Sequence, residues 1–286
     1  MNIKAFYDEP TGTVSYIISD PKMATAAFID PVLNYDAASA TISTTSADAM
    51  LDFAKQQNFK VLWSLETHIH ADHLTASDYI RSKTGAKIGV GEKVTEIQSV
   101  FQGFYHLNDL ETDGSQFDVL FADGDHFQIG ELDVRVMHTP GHTPACVSYL
   151  LNGAAFVGDT LFMPDFGTAR TDFPGGDAKE LYRSIRTILD LDEHTNIYVG
   201  HDYLSDNRQK PEWVSTVAQQ SSDNIHVNSS IDEQAFIAMR QTRDVALKAP
   251  ALILPSLQVN IRAGQLNPAE SDGHHYLKIP INKLAS

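Results

Sequence analysis

The segment ETHIHADHL, residues 66–74, sets His68, His70, Asp72 and His73 within six positions. Imidazole and carboxylate together suit zinc, iron or manganese. In an extended segment His68 and His70 point the same way, because side chains alternate with period two. Asp72 and His73 then come from the turn into the next helix and approach from another side. Three more candidates follow: His142 in TPGHTPAC, Asp159 in VGDTLF and His201 in VGHDY. Singly, each has a plainer reading. The four clustered residues could be capping and surface groups, His142 a turn residue held by Pro140 and Gly141, and Asp159 a cap. Their joint appearance where strands end points to a metal centre, and every ligand needed for two ions is present.

The elements that must position these residues are legible from periodicity. The first thirty residues alternate as antiparallel strands, and KVLWSLE is a buried strand ending where the histidine cluster begins. SADAMLDFAKQQN reads as a helix capped by Ser46, and LTASDYIRSKTG as a helix stopped by Gly85. A strand (AKIGVG) and a helix ending near His106 follow. DHFQIG and LDVRVMHTP are strand-like, and ACVSYLL turns through Asn152-Gly153 into AAFVGD as a hairpin. DAKELYRSIRTILDL is a periodic helix and NIYVGHDY a final strand. Beyond Pro211 the expectation is two helices, about 211–221 and 232–247, and an extended end. Residues 1–205 are expected to form the catalytic core, with 206–286 packed on the same domain. The mixture predicts an α/β protein with covered sheets.

Composition narrows the function. The chain has 286 residues and a formal charge of −16, which disfavours nucleic acid and anionic membrane partners. No run approaches the roughly 18 apolar residues of a membrane span, and MNIKAFYDEP lacks signal-peptide character. With a single cysteine, Cys146, no internal disulfide is available, so a cytoplasmic location is expected. Cys146 reads as a small buried hydrophobe, and His106, His126, His138, His194, His226, His274 and His275 as surface or hydrogen-bonded groups. Neither a Gly-rich nucleotide loop nor a G-x-S-x-G elbow occurs.

THIHADH, TPGHT, VGDTLF and VGHDY, in this order, resemble the metallo-β-lactamase superfamily. The resemblance implies a metallo-β-lactamase fold: a four-layer αβ/βα sandwich of two mixed sheets with the metal at their edge. HTPGHTPACVSYLL and ARTDFPGGDAKELYRSI are similar to the persulfide dioxygenase branch, the relatives of the ethylmalonic encephalopathy protein. The tail resembles a bacterial β-lactamase-like hydrolase subgroup. Ala169 stands where glycine usually precedes the arginine.

In that branch one Fe(II) per chain is held by residues matching His68, His142 and Asp159. Glutathione persulfide and O2 are the implied substrates, yielding sulfite and glutathione. His70, Asp72, His73 and His201 would then orient the ligands. Arg170 is the first candidate for substrate recognition, since a guanidinium grips a carboxylate in bidentate fashion. Tyr203 matches a glutathione-contacting tyrosine of the related glyoxalase II family, and Arg262 is a further candidate. A homodimer is compatible with the tail. Two alternatives stay open. One is a binuclear zinc hydrolase, a glyoxalase II-like thioesterase or lactonase, with His70, Asp72, His73 and His201 completing two sites. The other is a non-catalytic sensing module using Cys146.

Overall fold

The computed structural model describes residues 1–205 and 208–283. The opening meander is β1 (Asn2–Asp8), β2 (Thr13–Asp20) and β3 (Thr25–Ile29). A side sheet begins with β4 (Val32–Asp36) and β5 (Thr41–Ser43), followed by α1 (Thr45–Gln56). The chain returns as β6 (Lys60–Leu65), parallel to β3. Next come β7 (Leu74–Thr75), which pairs with β4, and α2 (Ser77–Thr84). β8 (Lys87–Gly91), α3 (Val94–Tyr105) and β9 (Val119–Phe121) complete a sheet of order β1-β2-β3-β6-β8-β9.

The second sheet starts with β10 (His126–Ile129) and β11 (Leu132–His138). β12 (Val147–Leu151) and β13 (Ala154–Phe156) form the hairpin, with Asn152 and Gly153 both at positive φ as that tight turn requires. Then follow α4 (Ala178–Leu189), β14 (Asn196–Tyr198) and β15 (Val214–Thr216). The chain finishes through α5 (Val217–Asp223), α6 (Glu233–Asp244) and α7 (Ile253–Asn260).

The sheets stack face to face because their central strands are apolar on both sides. In β2, Val14, Tyr16 and Ile18 point into the layer between the sheets, where they meet Val134, Val136, Tyr149 and Phe156. Ile17 and, from β3, Ala26 and Phe28 face outward onto Met50 of α1 and Ile80 of α2. Across the molecule, Ala155 and Ile197 face outward onto Leu181 and Ile185 of α4 and Phe236 of α6. Period two in the strands meets helical period on the outside, which yields the α/β layering expected. Among the described residues no helix is long and apolar enough to cross a membrane.

Four local expectations are corrected. Thr44, not Ser46, precedes α1, and the Ser46 hydroxyl instead donates to Asp8 Oδ1 at 2.8 Å. Residues 214–216 are strand rather than helix, and they pair antiparallel with β14, so NIYVGHDY is not the last strand. The helix there starts only at Val217, closed by a capping box between Thr216 and Gln219. The end expected to be extended holds α7, whose Pro255 falls in the first turn, where no intrahelical hydrogen bond is lost.

Candidate metal centre

Three loops at one end of the sheets supply the candidate ligands. The β6 strand stops at Leu65 and delivers His68, the β11–β12 loop carries His142, and the loop after β13 carries Asp159. Two glycines make the close approach possible. A Cβ on Gly141, at φ +134°, would lie 2.2 Å from Leu181 N. One on Gly158, at φ +51°, would lie 2.4 Å from Thr67 Oγ1.

His68, His142 and Asp159 are all buried, with their ligand atoms within 4.8 Å of one another. His142 Nδ1 donates to Arg170 O at 2.8 Å, which leaves the lone pair on Nε2. His68 Nε2 is buried with no hydrogen-bond partner. Asp159 Oδ2 stands 3.9 Å from both Nε2 atoms. Two ligands about 2.1 Å from a shared ion lie roughly 3–4 Å apart, so these atoms fit around a single cation. Burial holds both imidazoles below their usual range, His68 well below, which keeps them neutral and able to ligate. Burial alone would raise the Asp159 carboxyl, but His201, His68 and His142 outweigh it and pull it down.

The second set, His70, Asp72, His73 and His201, is assembled beside it, and within it Asp72 is bonded to His73 and His201. His201 lies 2.5 Å from Asp159 Oδ1 through Nδ1 and 2.5 Å from Asp72 Oδ2 through Nε2. Both ring nitrogens therefore face carboxylates. Burial opposes its charge, yet Asp159 and Asp72 prevail and hold it well above the usual imidazole range. His73 Nδ1 is 3.2 Å from Asp72 Oδ2, and its Nε2 has no partner. His70 Nε2 sits 3.1 Å from Asp30 Oδ1 and 3.6 Å from Glu66 Oε2, while the other Glu66 oxygen accepts from Thr75 and Ser77. Against the penalty of burial, Asp30 and Glu66 raise His70 to about 9. Burial lifts Glu66 to about 7, with His70 pulling the other way.

A cleft of about 630 Å³ opens onto this centre, touching His142, Asp159 and Asp72. Its walls are largely aromatic and apolar, with Phe162, Phe166, Phe173 and Leu252 among them. Tyr203 lines it and stacks on His201, the rings 4° from parallel. Arg170 lines it too, but its fork is held by Asp172, with Nε and Nη2 each 2.6 Å from a carboxylate oxygen, and Nη1 donates to Lys248 O at 2.7 Å. Arg262 is buried away from the cleft, 2.9 Å from Asp109 Oδ2. Two arginines that sequence reasoning passed over are in the wall. Arg240 is buried and spent on Asp244 and Thr168 O. Arg243 is exposed, and its guanidinium has no hydrogen bond or ion pair among the described residues. Their spacing of three on a periodic helix was the available signal. Asp30 and Glu66 were also missed, since single carboxylates beside strands carry no pattern.

A sequence profile described as the metallo-beta-lactamase superfamily matches residues 9–201. A beta-lactamase hydrolase-like protein of Agrobacterium fabrum is 50% identical, the match covering 99% of this chain and 65% of that protein. The chain thus spans just under two thirds of that relative's length. Glyoxylase B2 of Dictyostelium discoideum is 47% identical over 99% of this chain and 97% of that protein. Human mitochondrial persulfide dioxygenase ETHE1 is 30% identical over 93% of this chain and 90% of that protein. Among solved structures, ETHE1 from Myxococcus xanthus superposes with a TM-score of 0.75 at 29% identity, covering 93% of this chain and all of that one.

Proposed function

The chain belongs to the metallo-β-lactamase superfamily, and from that premise we propose that it is a mononuclear Fe(II) persulfide dioxygenase. Glutathione persulfide and O2 are its substrates, in the cytoplasm. Both oxygen atoms pass to the outer sulfur, and water then releases sulfite and glutathione. His68, His142 and Asp159 would hold the iron. When bound, ferrous iron supplies the open coordination positions and electron chemistry that O2 requires, as a two-histidine, one-carboxylate face allows.

The observation that carries the reading is His201. A ring bonded through both nitrogens to Asp159 and Asp72 can ligate a second ion only by giving up one of these charge-assisted contacts. The His201 ring, held between Asp72 and Asp159, competes with a second metal for those carboxylates. His70 sets Nε2 against Asp30 and Glu66 and leaves Nδ1 without a partner. The aromatic wall excludes water from the sulfur end of a substrate, and Arg243 offers an unspent fork to a carboxylate at the other end.

The second reading is a two-zinc thioesterase. It is favoured by the unpaired Nδ1 of His70 and Nε2 of His73, and by the likeness to a protein described as a glyoxylase. One sample separates the two. Metal analysis is expected to give about one iron per chain, with O2 consumed when glutathione persulfide is added. Two zinc ions per chain, no O2 uptake and hydrolysis of an S-acylglutathione would reverse the assignment.

A further inference from the structure

We propose that Thr67 is a positioning residue that fixes which nitrogen of His68 faces the metal and ties the three ligand loops together. The proposal rests on His68, His142 and Asp159 being ligands, and not on which metal or substrate they serve. Thr67 is 1% exposed and touches every loop of the centre. Its carbonyl accepts from Val147 N at 2.9 Å, at the end of the loop that carries His142. Its hydroxyl packs against Gly158, the residue before Asp159, with no room for a side chain between them. The same hydroxyl lies 3.0 Å from His68 Nδ1.

The direction of that last contact follows from Asp30. A hydroxyl has one proton. The Thr67 hydroxyl gives its proton to Asp30 Oδ2 at 2.8 Å, while Thr67 N donates to Asp30 Oδ1 at 2.7 Å. Having no second proton, Thr67 Oγ1 can only accept from His68. The proton of a neutral His68 is therefore on Nδ1, and the lone pair is on Nε2, the buried atom left without a partner beside Asp159 and His142. Asp30 is itself fixed. It stands at φ +48°, its N donates to Leu65 O at 2.9 Å, and its carbonyl accepts from Ser15 Oγ at 2.6 Å. A backbone conformation unfavourable for aspartate is thus held in place by the sheet, and the carboxylate it presents orders the proton two residues before His70.

The test compares Thr67→Val, which keeps the shape and deletes the hydroxyl, with Thr67→Ser, which keeps the hydroxyl. Binding of Fe(II) and of Zn(II) is measured anaerobically against a chromophoric chelator. Thr67→Val is expected to bind each metal about 10–100-fold more weakly, with Thr67→Ser close to the parent. Asp30→Asn provides a second handle of equal size. Its amide oxygen must serve Thr67 N, so its NH2 faces Oγ1, the hydroxyl proton swings to His68 Nδ1, and the lone pair leaves Nε2. In metal-free protein the nitrogen NMR shifts of His68 are expected to report Nδ1–H in the parent and Nε2–H in Asp30→Asn. A merely structural residue would not move that signature. Parent-like metal binding by Thr67→Val, or by Asp30→Asn if Thr67→Val does not fold, overturns the proposal. A His68→Ala variant that keeps parental affinity would instead remove the ligand assignment itself.

Discussion

His68, His142 and Asp159 keep their facing atoms unspent, while beside them Asp72 has bonded to His201 and to His73, leaving only His73 Nε2 without a partner. Both groups are buried save for a partly exposed Asp72, both mix imidazole with carboxylate, and both gather within 4.8 Å. What separates them is proton bookkeeping. In the first group each histidine has its far nitrogen occupied by an oxygen, a carbonyl for His142 and a hydroxyl for His68, so the near nitrogen stays bare. In the second, His201 has carboxylates on both sides. Metal capacity is set less by residue type than by what stands behind each ring.

The harshest way to break this comparison is to remove one ligand from the first group. His142→Ala is expected to lose bound iron and to lower activity by at least about 1000-fold, read by metal analysis and O2 uptake, because two ligands hold iron poorly. His201→Ala should act differently, keeping about one metal per chain while activity falls roughly 10–100-fold as Asp159 loses its partner. If its metal content collapses as completely as that of His142→Ala, the two groups are one site and the contrast fails.

Away from the ions the expected effects shrink and move to substrate binding. Arg243→Ala should raise KM for glutathione persulfide about tenfold with kcat nearly unchanged. Arg170→Ala should raise it less, because the Arg170 fork is already closed on Asp172. The reverse order would show that Asp172 releases Arg170 when substrate arrives.

The last effect falls on stability rather than turnover and concerns a histidine outside both groups. His226 accepts from Thr168 N at 3.0 Å, and burial, with Arg240 and Arg243 nearby, pushes it down to about 4. Below the usual value near 6.5 the unfolded chain takes up a proton that the folded chain refuses. Folding stability is therefore expected to be complete above about 6.5 and to fall as pH drops towards 4, by up to about 3 kcal/mol. Denaturation midpoints at pH 7 and pH 5 check this, and His226→Gln should flatten the slope.

Much of this was legible in the sequence. Alternation along TVSYIISD, the Asn152-Gly153 turn and the helix after Asp177 all formed as periodicity and turn chemistry dictate. The candidate residues stood out because histidines at strand ends are conspicuous, and the fold brings them together. How the second set of groups is bonded was not legible from spacing, because Asp30 and Glu66 reach His70 from 40 and 4 residues away. The helix α7 was hidden by Pro255, whose cost vanishes in a first turn, and β15 by its three-residue length, too short to show alternation. Arg170 was chosen for its chemistry, while its neighbour two residues on decides how much of that chemistry is free.

Cys146, four residues beyond His142, is 2% exposed, its sulfur wedged against Thr143 at 3.2 Å, and burial pushes it up to about 12. At neutral pH only about one molecule in 100,000 carries the thiolate. Under the persulfide reading proposed above, the chain is thereby protected from its own feedstock. Polysulfides and oxidised glutathione scavenge thiolates, and the only cysteine of this chain offers them almost none. On that reading, Cys146 is no point of attack for the reactive sulfur around it.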